Sequence, residues 1–322
     1  MQTVLVAGGA GFIGSHLCKS LLDENYSVIC VDNLVTGSRE NIKDLEQNPH
    51  FTFIEHDVTQ EFSAIKYQIS NISYVFHLAS PASPNLHSKN SYMSLPIETL
   101  LANSLGTYNL LNLAKENSAR FLFASTSEVY GDPEISPQKE DYFGNVNPNG
   151  IRSVYDEGKR FGEAMTMAYY RKYSLDVRIA RIFNTYGPQM QPMDGRVVSN
   201  FIVASLKKQP IVIYGDGSQT RSFCYVSDLV EGLYQLMLRK NLSGEVINLG
   251  NPIEKTVKEF AEIVIKKMQV TAQLTYEALP PDDPMQRKPD ITKAKKLLDW
   301  EPQVSLDEGL EKTIAYFKSN KE

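Results

Sequence analysis

Residues 4–14 read VLVAGGAGFIG, an apolar run closed by a glycine-rich turn, and residues 15–25, SHLCKSLLDEN, continue with helical spacing. A short apolar run bounded by turn signals reads as a buried strand. Gly8, Gly11 and Gly14 then stand where strand turns into helix and where backbone N–H groups and the helix dipole can face a pyrophosphate. A glycine trio alone is a weak sign, and its context decides its weight. Here a second strand, YSVICVD, follows the helix and ends in Asp32, 18 residues past Gly14. A carboxylate at that place accepts from the adenosine ribose hydroxyls. It would repel a 2′-phosphate, which favours NAD over NADP, with Arg39 read as a solvated loop charge.

The same alternation continues outward. FTFIEHD forms a third strand running to Asp57, either an acceptor for the adenine amino group or a strand-terminal turn residue. YVFHLAS forms a fourth, with His77 as a packed core histidine, and leads into Pro81-Ala82-Ser83-Pro84, a stiff loop at the strand's C-terminal end. Ligands of open α/β sheets bind along that edge. Leu95 to Asn117 reads as one long helix whose apolar stripe serves the core, with a share available to a subunit interface. Alternating strands and helices after a phosphate turn predict an α/β fold, a Rossmann-like doubly wound parallel sheet.

The 322 residues suffice for one large α/β domain with an appended lobe, or for two modest domains. Hydrophobic content of 42% with 22% charged residues is that of an ordinary globular protein, and a net charge of −5 gives no reason to expect nucleic acid or an anionic membrane as partner. Cys18, Cys30 and Cys224 are odd in number and widely spaced, and the five histidines lack ligand spacing, so neither a metal site nor a redox pair is expected. The chain enters its first strand without a signal-peptide pattern and holds no apolar run of about 20 residues, so a cytoplasmic protein is expected.

Residues 121–130, FLFASTSEVY, are a strand followed by Thr126, Ser127 and Glu128, and residues 153–159 read SVYDEGK. Tyr155 and Lys159 lie four apart, so on a helix they share a face. A cation beside a phenol favours the phenolate, and the pair is expected to lower the Tyr155 pKa toward a usable base.

GGAGFIG, ASTSEVYG and YDEGK together resemble the extended short-chain dehydrogenases that rework nucleotide sugars, and RIFNTYGP, DGRVVSNFI, YGDGSQTRSFCYVSD and INLGN extend the likeness over nearly the whole chain. Within that group HLASPASP, STSEVYGDP, GNVNP and DDPMQRKPDITKAK are most similar to the UDP-glucuronate decarboxylases. Related dehydratases carry Asp-Glu after the Thr. Ser127 replaces that Asp here, and a serine is a poor proton donor to a leaving hydroxide. The resemblance implies oxidation at sugar C4 by NAD, loss of CO2 from the 4-ketone, protonation at C5 and return of the hydride, giving UDP-xylose.

On that resemblance Tyr155 and Lys159 are the base pair, Thr126 polarises the 4-oxygen, and Ser127 contacts the carboxylate or ring. Glu128 acts directly or through water, and Arg287 projects toward the sugar acid. Gly8, Gly11, Phe12, Ile13, Gly14, Asp32, Asn33, Thr36, Gly37, Asp57, Val58, Leu78, Ala79 and Ser80 are expected to line the cofactor. Asn184, Arg196, Val198, Ser199, Tyr214 and Arg221 are expected to hold the nucleotide sugar, with Arg221 on the diphosphate because arginine grips phosphate bidentately. IVIYGDGSQTRSF reads as a hairpin. Asp282 and Asp283 read as a solvated turn, in a loop that orders on substrate binding. Residues 1–184 with 223–250 form the expected cofactor domain, and 185–222 with 251–322 a smaller substrate lobe. A homodimer is expected, paired through the helix after Pro96 and the helix of Tyr155. Two alternatives stay open: a dehydratase or epimerase acting on another nucleotide sugar, and a silent NAD-binding regulator.

Overall fold

The computed structural model describes residues 1–85, 88–279 and 282–320. The first half alternates β1 (Thr3–Ala7), α1 (Phe12–Asp23), β2 (Ser27–Asp32), β3 (Phe51–Glu55), β4 (Ile72–His77), α2 (Pro96–Leu101), α3 (Thr107–Glu116), β5 (Arg120–Thr126), α4 (Ser153–Tyr173) and β6 (Val177–Ile182). The second half comprises β7 (Thr185–Tyr186), α5 (Val197–Leu206), β8 (Ile211–Tyr214), β9 (Thr220–Ser222), β10 (Cys224–Tyr225), α6 (Val226–Leu238), β11 (Glu245–Leu249), β12 (Glu254–Thr256), α7 (Val257–Met268), β13 (Leu274–Glu277), β14 (Gln286–Arg287), α8 (Thr292–Leu298) and α9 (Leu306–Ser319).

Seven strands form one parallel sheet in the order β11-β6-β5-β4-β1-β2-β3. Val4–Ala7, Phe121–Phe123 and Ile179 are all but fully buried because helices cover both faces, which is why these strands read as unbroken apolar runs. The strand order reverses between β1 and β4, and the crevice outside the C-terminal ends of the strands at that point is where such sheets take ligands. Two further helices are fixed locally by caps. Thr256 and Glu259 close a capping box on α7, and Ser305 accepts from Glu308 N on α9. Trp300 packs under the closing helices and donates from its indole to Asp228 O at 2.9 Å.

Two elements depart from expectation. The helix expected over 95–117 carries a π-turn, Ala102–Gly106, between α2 and α3. Asn103 at this turn is fully buried and donates to Thr99 O and Ser80 Oγ, both at 2.9 Å, and a Cβ on Gly106 would meet Val58 Cγ2 at 2.7 Å. Close packing against the sheet's ligand edge accompanies the extra residue in the turn. The Gly-Asp-Gly segment is not a hairpin either. β8 pairs with β13, while β9 pairs with β12 and β14. Asp216 folds onto Ser218 N and Oγ, and Gln219 donates to Tyr214 O, so the chain crosses between two small sheets.

Candidate active site

One cleft of about 770 Å³ runs along the sheet's ligand edge. At its cofactor end the glycine turn has little room for side chains. A Cβ on Gly14 would meet Gly8 O at 2.1 Å, and one on Gly8, at φ +81°, would meet the backbone of Ala79 at 2.7 Å. The N-terminus of α1 has no side-chain cap, so its N–H groups remain available to phosphate oxygens. Asp32 is buried and accepts from Ala10 N at 3.0 Å and Leu34 N at 2.9 Å, which leaves acceptor capacity facing the cleft. Gly37 does not line the cleft. Its missing Cβ makes room for the Asp32 carboxylate, 2.8 Å away. Arg39 pairs with Glu46 and lies over Phe53, so it does not neutralise Asp32. Asp57 accepts from Thr59 N, Thr59 Oγ1 and Asn33 Nδ2, behaving as a turn residue although it lines the cleft. Phe12, Ile13, Thr36, Val58, Leu78, Ala79 and Ser80 complete this wall. These residues fit a dinucleotide: a cradle without side chains, an uncapped helix and a buried ribose-side carboxylate.

The loop between β7 and α5 crosses over this end. Gln189, at φ +66°, accepts from Ser15 Oγ at 2.8 Å and donates to Asn41 O, and Gln191 donates to Thr36 O at 2.6 Å. Arg196, at the start of α5, donates to Ala82 O. Val198, Tyr214 and Asn184 line the cleft, and Asn184 Nδ2 is buried without a partner among the described residues, a donor aimed where a ligand acceptor would sit. Ser199 departs from expectation: it is fully buried and donates to Arg196 O instead of facing the cleft.

At the centre, Thr126, Ser127, Glu128, Tyr155 and Lys159 converge, because β5 and α4 pack face to face. Gly162 allows this contact, since a Cβ there would meet the Phe123 ring at 2.2 Å. Lys159 Nζ donates to Ala124 O at 2.8 Å and lies 5.7 Å from the Tyr155 ring centre. Thr126 Oγ1 accepts from Glu128 N and its side chain also hydrogen-bonds Tyr155. The expected lowering of the Tyr155 pKa is overturned for these protein groups. Burial pushes the phenol up to about 12, against the pull of Arg196 and Thr126, and burial brings Lys159 down to about 7. Desolvation disfavours charge on both groups.

Glu128 and Arg287 meet at this centre. Both oxygens of Glu128 accept from Arg287, one bond at 2.8 Å, and Arg152 Nη2 adds a third at 2.7 Å. Burial opposes ionisation of Glu128, but the two guanidiniums win and hold it down at about 2. Arg287 is buried against this carboxylate, and both residues line the cleft. Asp283 is no solvated turn: it bridges Arg152 at 3.4 Å and Arg221 at 2.9 Å, while Asp282 accepts from Asn147. The expected ordering on substrate binding concerns the loop 279–290, of which Pro280 and Pro281 lie outside the described residues.

Sequence reasoning passed over Arg152, Asp283 and Tyr92. The Tyr92 ring stacks on Tyr155 at 4.9 Å with an interplanar angle of 8°. Arg152 stands one turn before Tyr155 on what becomes the lip of α4, and that spacing is the one signal that would have found it. Cys18 and Cys30, distant in sequence, meet beneath Gly9, both buried and free. Among the described residues no cluster of three or more metal-ligating side chains occurs, and no helix is long and apolar enough to cross a membrane.

A parallel seven-stranded sheet, a glycine cradle at its switch point and a Tyr-Lys pair on one helix define an extended short-chain dehydrogenase/reductase. The chain belongs to the family described as GDP-mannose 4,6 dehydratase, whose profile matches residues 5–313. It is 50% identical over 316 residues to UDP-glucuronic acid decarboxylase 1 of Arabidopsis thaliana, covering 98% of this chain and 70% of that protein. The Danio rerio UDP-glucuronic acid decarboxylase 1 is 49% identical, with 98% and 72% covered. Among solved structures, UDP-glucuronic acid 4-epimerase from Bacillus cereus in complex with UDP-glucuronic acid and NAD superposes with a TM-score of 0.87 at 31% identity, covering 99% of each chain.

Proposed function

We propose that the protein is an NAD-dependent UDP-glucuronate decarboxylase that forms UDP-xylose through a 4-keto sugar. The observation that carries this reading is the 50% identity over 98% of the chain to a UDP-glucuronic acid decarboxylase. Gly8, Gly11 and Gly14 would hold the pyrophosphate of NAD and Asp32 the adenosine ribose. NAD, when bound, supplies the hydride acceptor for C4, the later hydride donor, and a positively charged oxidised ring beside Tyr155.

Tyr155 Oη takes the proton from the 4-hydroxyl, with Lys159 and that added charge offsetting the penalty of a buried phenolate. Thr126 hydrogen-bonds the 4-oxygen and polarises the ketone. That ketone lies β to the C6 carboxylate, so the electrons of the breaking C5–C6 bond pass to an oxygen that Tyr155 and Thr126 already stabilise. Ser127 offers no acid strong enough to expel a hydroxide, which separates this site from dehydration. Glu128, held ionised by Arg152 and Arg287, acts as an acceptor that positions water for protonation at C5. Asn184, Arg196 and Arg221 bind the nucleoside diphosphate.

We also propose a homodimer. Ile97, Leu101, Leu105, Tyr108 and Phe161 are exposed on α2, the π-turn, α3 and α4, a contiguous apolar face of the kind that pairs helices. Residues 1–184 with 223–250 would act as the cofactor half, and 185–222 with 251–322 as the substrate half.

The deciding assay is incubation with UDP-glucuronate and NAD+, followed by CO2 release and the mass of the product. Wild type is expected to yield UDP-xylose, and Tyr155→Phe to lose about 10²–10⁴-fold in rate. Turnover of a different nucleotide sugar, with no CO2 from UDP-glucuronate, would refute the substrate assignment.

A further inference from the structure

The arginine assigned above to the substrate's diphosphate already holds an anion. Arg221 Nη2 donates to Asp283 Oδ2 at 2.9 Å, and Asp283 Oδ1 accepts from Arg152 Nη1 at 3.4 Å. Arg152 binds Glu128, which Arg287 clasps from the other side. Three guanidiniums and two carboxylates thus form one chain along the cleft wall, with the three arginines buried. The strand register sets Arg221 directly beside Arg287, so β9 and β14 bring the positive groups together.

A carboxylate and a phosphate make the same demand of a guanidinium, two acceptor oxygens facing a fork of donors. Arg221 has already committed Nη1 to Thr220 O, which leaves Nη2 and its neighbouring N–H groups for an anion. Asp283 and a diphosphate therefore compete for the same donors. We propose that Asp283 is an internal stand-in for the diphosphate, displaced from Arg221 when a nucleoside diphosphate binds.

The exchange does not strand a charge. Asp283 keeps its second contact with Arg152, and the incoming phosphate neutralises Arg221, so neither partner is left buried and alone. The cluster, with one more cation than anions, still attracts an anion while Asp283 is in place. Burial depresses Arg221 to about 10, against the support of Asp283. A ligand without a diphosphate has nothing to offer Arg221 in place of Asp283. Selection for the nucleoside diphosphate is thus built into the protein's own side chain.

This inference rests on the assignment of Arg221 to the diphosphate, and the experiment separates the two. Calorimetric titration of UDP into the NAD-loaded enzyme is compared for wild type, Asp283→Asn and Arg221→Ala. Asp283→Asn is expected to bind UDP about tenfold tighter, since the closed population no longer competes. Equal or weaker binding by Asp283→Asn, with Arg221→Ala weakened, overturns the stand-in role alone. Unchanged binding by Arg221→Ala overturns the diphosphate assignment and the inference with it. If Asp283→Asn does not fold, hydrogen exchange on wild type decides: UDP is expected to speed exchange over residues 282–287 and uridine not to. The same rate with both ligands, or no acceleration by UDP, overturns it.

Discussion

Glu128 shows how a single residue's partners limit its chemistry. Its folded pKa of about 2 lies below the ordinary 4.5, so the Arg152 and Arg287 contacts stabilise the fold above pH 4.5 and are lost as pH falls toward 2. Glu128→Gln leaves two buried guanidiniums without their carboxylate. It is expected to cost about 3–5 kcal/mol at pH 7 and to flatten the acid limb of the stability curve, measured by urea unfolding from pH 5 to 2. Asp156, one residue past Tyr155, has the opposite sign. Burial and Glu128 raise it to about 8, and its Oδ1 is buried without a partner among the described residues. The unfolded chain binds fewer protons than the folded one between pH 3.8 and 8, so this group costs stability increasingly as pH rises through that window. Asp156→Asn is therefore expected to raise Tm by about 2–4 °C at pH 8 and by less at pH 4, by scanning calorimetry. Tyr155 and Lys159 were legible because helical spacing alone sets them on one face. Asp283 was not, since its partners Arg152 and Arg221 lie 131 and 62 residues away and meet it only through tertiary packing.

The element that carries Tyr155 and Lys159 is α4, and its seat on β5 depends on Gly162 above Phe123. Gly162→Ala should destabilise by about 1–3 kcal/mol through overpacking, and it should also draw Lys159 from the Ala124 carbonyl. The expected reading is a lower urea midpoint together with a fall in kcat at unchanged cofactor binding. A lower midpoint with kcat intact would show that α4 tolerates displacement. Strands and helices of the first half were legible because burial on both faces makes apolar runs, and glycine marks the turn. The π-turn at Ala102–Gly106 was hidden, because one extra residue barely disturbs a helical stripe. The false hairpin at 211–223 arose from a genuine turn signal: Gly215 and Gly217 do adopt positive φ, but β8 finds its partner in β13, a sequence-distant strand.

At the scale of the molecule, the apolar face of α2, α3 and α4 is the feature open to a simple test. Leu105→Glu combined with Tyr108→Glu is expected to yield monomers in analytical ultracentrifugation, while wild type sediments as a dimer at micromolar concentration. Wild-type monomers would dismiss the pairing. Alternation of elements made the sheet legible from residues 1–182, yet its edge comes from much later in the chain. β11 closes against β6 through Val246 beside Ile179 and Leu249 beside Ile182. On the ribosome, β6 therefore emerges well before its outer neighbour, several seconds earlier at roughly 5–20 residues per second. Through that interval the nascent chain carries the strand VRIARI, apolar at Val177, Ile179, Ala180 and Ile182, with one row of backbone N–H and C=O groups unpaired, an invitation to edge pairing with another chain. Truncations ending before Glu245 inherit that edge permanently, so aggregation during synthesis is expected to precede any effect of the site residues lost with it.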